Sequence, residues 1–187
     1  MNGTRLVICL IGFVTSSLAD DGENVSWSKT VEGLQARIAM KETQVVNGTR
    51  VISAYLTLRN ASTITNPLVV EFQSTKLSVS VVDETGSELS KLMSQSYSGG
   101  RYQSVNLVLP HDGSLTFNVS QSGLGIPKNK AALLDFGPED CWIIDKPDGK
   151  KYFLKATLAV KESKQPTDER HWHGTIEIPP AEIPVKK

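Results

Sequence analysis

The sequence predicts an all-β, antiparallel immunoglobulin-like β-sandwich of about seven to nine strands, and three observations carry that expectation. Apolar residues recur with a period of two in several segments, the pattern of strands buried on one face. Helical spacing is hard to find in the same stretches. Turn-forming residues separate the alternating runs at short intervals, as a sandwich of hairpins requires, with a closed barrel as the main rival.

The strongest run spans residues 51–58, where Ile52, Ala54, Leu56 and Leu58 share one face and Ser53, Tyr55 and Thr57 the other. Such alternation suits a sheet with one wet face. It returns in Leu68, Val70 and Phe72, in Leu77, Val79 and Val81, and in Tyr152, Leu154, Ala156, Leu158 and Val160, with shorter examples over residues 34–40 and 174–178. Turns are expected at Asp83-Glu84-Thr85-Gly86, Pro110-His111-Asp112-Gly113 and Pro147-Asp148-Gly149, because Asp-Gly favours tight hairpin geometry. The second turn then pairs residues 105–109 with 115–119, and the third pairs residues 141–145 with 151–160. Residues 94–104, rich in serine and glycine, read as an exposed loop. Residues 121–130, with Gly123, Gly125 and Pro127, read as a crossing between the sheets, and residues 131–134 as a single helical turn.

The chain opens with Arg5, the apolar run of residues 6–14 and the small residues Ser17 and Ala19, the marks of a secretory signal peptide over residues 1–19. Nine apolar residues are too few to cross a bilayer, and no other run approaches the roughly 18 needed. The expected product is secreted or periplasmic, with no membrane span after cleavage. Its parts are a polar segment at residues 20–30, a candidate for disorder, one β-sandwich domain at residues 31–179, and an extended tail at residues 180–187 rich in proline. Removing the first 19 of 187 residues leaves a single free cysteine, Cys141, so no internal disulfide can form. Beside Trp142-Ile143-Ile144 that thiol reads as buried and inert. With 20 basic and 20 acidic residues the chain lacks the electrostatic footprint of a nucleic-acid binder. Lys146, Lys150, Lys151 and Lys155 form the nearest approach to a basic cluster and read as a solvated hairpin.

Val31-Glu32-Gly33-Leu34-Gln35, Leu56-Thr57-Leu58-Arg59-Asn60, and Tyr152, Leu154, Ala156 and Leu158 ahead of Trp172 and Gly174 together resemble a group of uncharacterised exported bacterial β-sandwich proteins. More distantly, the central and final parts are similar to the intracellular proteinase inhibitor family. The resemblance implies an immunoglobulin-like fold and carries over no functional residue.

The sharpest chemical feature is His171-Trp172-His173, since alternating histidines on a strand project to one face and can share a metal. Only His111 remains as a further histidine, so a complete site needs acids such as Asp168 or Glu169. The plainer arrangement has both histidines toward solvent and Trp172 packed inward. A copper centre built on Cys141 fails because no methionine follows the late histidines. Glu139 and Asp140 are adjacent acids on a loop rather than a glycosidase pair. No nucleophile elbow is present, His111-Asp112 belongs to a turn, and Gly123 and Gly125 lack the setting of a dinucleotide loop. Trp27, Trp142 and Trp172 can stack on sugars, although aromatics in a sandwich more often fill the core. Asn24, Asn47, Asn60 and Asn118 each begin a glycosylation sequon, and no modification is assigned to them. The expected role is an exported non-catalytic binding or structural module with no cofactor, using the 94–104 loop or a sheet edge to take an unknown protein or surface polymer. Alternatives are a metal-binding protein using His171 and His173, and a proteinase inhibitor.

Overall fold

In the computed structural model, residues 25–72, 77–92, 105–120, 126–137, 140–145, 149–161 and 170–185 are described. The signal-peptide segment, the 94–104 loop, Asp168 and Glu169 lie outside them. The first two strands, β1 (Leu34–Val46) and β2 (Thr49–Asn60), form a long antiparallel hairpin whose register runs from Leu34 opposite Asn60 to Val46 opposite Thr49. Asn47 and Gly48 close it at φ 53° and 74°. Positive φ at both positions is the type I′ signature, whose twist matches that of the strands it joins. A Cβ on Gly48 would stand 2.5 Å from Asn129 Oδ1, so any other residue there adds a displaced Asn129 side chain to the strain of a positive φ. Leu34, Ala36, Ile38 and Met40 of β1 and Ile52, Ala54, Leu56 and Leu58 of β2 supply the inner face.

Eight further strands complete the described part: β3 (Leu68–Phe72), β4 (Leu77–Asp83), β5 (Val105–Leu109), β6 (Ser114–Asn118), β7 (Ala132–Asp135), β8 (Cys141–Ile144), β9 (Tyr152–Val160) and β10 (Gly174–Glu182). One sheet follows the order β1-β2-β7-β8, with β6 also on β2; a second runs β10-β9-β4; a third pairs β3 with β5. Val69 donates to Arg170 O at 2.9 Å and accepts from Trp172 N at 2.8 Å, tying β3 to the start of β10. The inward side chains of all three sheets meet in one hydrophobic core.

The all-β, sandwich-like architecture agrees with the alternation in the sequence, while the pairing corrects several expectations. Ten strands are present among the described residues, and the first sheet is mixed, since β7 runs parallel to β2. Neither expected Asp-Gly hairpin forms. β5 pairs with β3 and β6 with β2, so the 110–113 turn joins strands of different sheets. Asn60 explains the divergence: its backbone N–H donates to Gly113 O at 3.0 Å and its amide to Leu109 O at 3.1 Å, which draws β6 onto β2. Likewise β8 pairs with β7, whereas β9 lies between β10 and β4. Five alternating apolar residues make β9 a central strand that needs a long partner on each side, and four-residue β8 cannot serve.

The strands on either side of the 121–130 connection, β6 and β7, both pair with β2, so it joins strands of one sheet rather than of two; residues 121–125 lie outside the described residues. Residues 132–134 are strand rather than helical turn, with Leu133 and Leu134 both buried. The proline-rich end is also structural: β10 passes through Pro179 and Pro180 by a register shift, and Ile183 donates to Tyr152 O at 2.8 Å. Proline is tolerated there because a bulge at a sheet edge requires fewer ladder donors.

Candidate binding face

Trp172 and Trp142 belong to the core. The Trp172 indole N–H donates to Val31 O at 2.8 Å and that of Trp142 to Leu89 O at 3.2 Å, so each buried ring has its polar atom satisfied. His171 flanks Trp172 half-buried, at the bridge to Val69, and His173 is exposed. Among the described residues no group of three His, Cys, Asp or Glu side chains is placed to hold a metal ion. His111 is elsewhere, on the 110–113 turn, with Nε2 3.3 Å from Asp112 Oδ2.

The remaining chemical candidates are absorbed by structure. Cys141 is wholly buried, and burial, with the nearby Asp135 carboxylate, pushes its thiol up to about 11. A thiol so shielded supplies almost no thiolate near neutral pH. Asp140 is paired with Lys91, Lys151 lies 3.2 Å from Glu182, and Lys150 lies 3.7 Å from Asp83. The Asp83 carboxyl is held below its ordinary value chiefly by the Thr85 hydroxyl, and its Oδ1 also accepts from the backbone of Thr85 and Ser87 to shape the turn. An open cleft of about 590 Å³ beside Leu89, Ile143 and Tyr152 has the Lys130–Asp145 ion pair among its lining. Of the sequons, Asn24 lies outside the described residues, Asn47 and Asn118 are exposed, and Asn60 is fully buried with its amide engaged.

Trp27 stands apart from the other two tryptophans because it lies half-buried outside the core. Its segment is laid along β1 by Ser28, whose backbone N–H donates to Ala36 O at 2.9 Å and whose hydroxyl accepts from Ala36 N at 3.0 Å. Gln35 Nε2 adds a bond to Ser28 O at 3.2 Å. These contacts bring the indole to the guanidiniums of Arg37 and Arg59, whose central carbons lie 4.7 and 4.3 Å from the ring centroid. Cation–π attraction of this kind contributes about 0.5–1 kcal/mol at an exposed site.

Register makes these residues one surface. On β1 and β2, Gln35 is opposite Arg59, Arg37 opposite Thr57 and Ala39 opposite Tyr55; on β6, Ser114, Thr116 and Asn118 are opposite Arg59, Thr57 and Tyr55. Inward neighbours are apolar, so period two places this whole set on the outer face. Arg59 donates to Gln35 Oε1, and the Thr57 and Thr116 hydroxyls are 2.9 Å apart. The set contains no aspartate or glutamate, and neither arginine has a carboxylate partner among the described residues. Arg59 Nε is shielded from solvent without any acceptor. By contrast Arg50, at the other end of the hairpin, lies 3.6 Å from Glu42.

Arg37 and Arg59 are not marked as site residues by any local motif in the sequence. Their signal was present in the alternation itself, which puts Gln35, Arg37 and Arg59 opposite the apolar positions, but nothing local joins them to Trp27 in a segment that reads as polar. No protein-family model, curated protein or solved structure matches this chain.

Proposed function

We propose that this chain is an exported non-catalytic binding module that takes its ligand across the outer face of β1, β2 and β6, around Trp27. One observation carries the reading: a half-buried tryptophan on the outer sheet face is held by two arginines that have no carboxylate partner among the described residues. Arginine and aromatic side chains are the residue types that dominate binding energy when a partner buries them. Export is supported by Arg5, the short apolar run and the small residues ending at Ala19. The resemblance to exported bacterial immunoglobulin-like sandwiches points the same way.

The test is direct binding of the purified protein to an immobilised panel of polysaccharides and peptides, run beside Trp27→Ala. The reading requires at least one ligand whose affinity falls about tenfold or more in the variant, the loss expected when a central aromatic anchor is removed. Ligands that bind both forms equally would defeat it.

A further inference from the structure

Arg37 and Arg59 are diagonal neighbours on adjacent strands, and both charges are anchored on one indole ring. Two like charges held together without an acid raise the local positive potential, and a bound anion relieves it. Guanidinium offers a planar fork of donors that matches the paired oxygens of sulfate or carboxylate. Among the described residues Arg59 donates to one acceptor, Gln35 Oε1, while its Nε is shielded from solvent and takes no part in ligand binding. Around the charges the face presents hydroxyls and amides from Thr116, Ser114, Tyr55, Gln35 and Asn118, while Thr57 between them is buried with its hydroxyl paired to Thr116. Such groups both donate and accept, as the hydroxyls of a sugar chain require. Among the described residues the surface is a face three strands wide, which suits an extended polymer better than an enclosed small molecule.

From charge complementarity and this lining, we infer that the ligand of the face is an anionic polysaccharide, with sulfate or carboxylate groups bound by Arg37 and Arg59 and sugar hydroxyls by the flanking polar side chains. The inference rests on the binding-module reading and narrows it to one class. A balanced total of 20 basic and 20 acidic residues makes the positive patch local, unlike the broad basic footprint of nucleic-acid binders.

The deciding experiment measures binding of the purified protein and of Trp27→Ala to dextran sulfate, polygalacturonate, uncharged dextran, poly-glutamate and DNA, at about 50 and about 200 mM salt, a range over which screening of exposed charges changes strongly. Two double variants carry equal charge loss: Arg37→Gln with Arg59→Gln, and Lys151→Gln with Lys155→Gln as a control away from this face. Circular dichroism and thermal melting check that each is folded, and Arg37→Lys with Arg59→Lys keeps the charge without the fork.

The expected result is binding to at least one anionic polymer and none to dextran, weakened about tenfold or more in the arginine-to-glutamine variant, partly restored by lysine, and unchanged in the control. Dextran sulfate preference over polygalacturonate assigns sulfate, and the reverse assigns carboxylate. Equal weakening in the control variant would overturn the inference, since binding would follow net charge alone. Trp27-dependent binding only to neutral glycans, or only to poly-glutamate or DNA, would overturn it while leaving the binding-module reading intact. If nothing on the panel binds in a Trp27-dependent way, both fall.

Discussion

Trp172 and Trp27 show two uses of the same side chain in one sheet protein. Trp172 is 2 % exposed, packs in the common core and gives its N–H to the Val31 carbonyl. Trp27 lies half-buried on the outer face and is held by two guanidiniums and a short segment docked on β1. Full burial of an indole with its donor satisfied commits the residue to stability, because every neighbouring atom is packed against it. An indole packed against two guanidiniums at the surface contributes less to folding and remains within reach of a partner. The comparison teaches that the residue to test for function is the tryptophan whose loss the fold should tolerate.

Replacing Trp172 by Ala should break the comparison most visibly, lowering unfolding free energy by about 3–5 kcal/mol in urea titrations, as for other buried aromatics. A loss below about 1 kcal/mol would mean that the core does not depend on it. Next in size, Asn60→Ala should cost about 1–3 kcal/mol, since Leu109 O and Ser62 N lose their buried partner. Its amide exchange should show freer opening of β6, the third column of the candidate face.

Trp27→Ala should lower stability by only about 1 kcal/mol or less, the size of an exposed cation–π contact, while abolishing ligand binding. A larger loss would place Trp27 with Trp172 as a structural residue. The smallest effect is a slope with pH at Cys141. Its folded pKa, about 11, lies above the ordinary 9.0, so the folded state holds the thiol proton more tightly. That contribution is fully present below pH 9.0 and is lost as pH rises towards 11. Urea melts at several pH values across that window should therefore show a steeper alkaline decline for the natural protein than for Cys141→Ala.

How much of this was legible depended on whether the deciding contact was local. The alternation in residues 51–58 and 152–160 located β2 and β9 and their inner faces, because the two-residue period follows from strand geometry alone. The Asp83 turn was equally readable, since its side chain bonds its own neighbours at Thr85 and Ser87. The Asp-Gly turn at residues 112–113 was read as a hairpin and is instead a passage between sheets, decided by Asn60, which is 49 residues from its acceptor Leu109. The inward packing of Trp172 was among the arrangements the sequence allowed. The assembly of Trp27, Arg37 and Arg59 was not read, because it needs both the β1–β2 register and the docking of residues before β1.

The sequence by itself determined the all-β class, the inner face of each long strand and the residues that can turn, because these rest on side-chain alternation and on the backbone freedom of single residues. Only the tertiary structure decided which strands pair, which tryptophan is core and which is surface, and that two arginines share one indole. Those outcomes depend on competition among distant partners for backbone donors and apolar cover, and no local stretch of chain contains both sides of that competition.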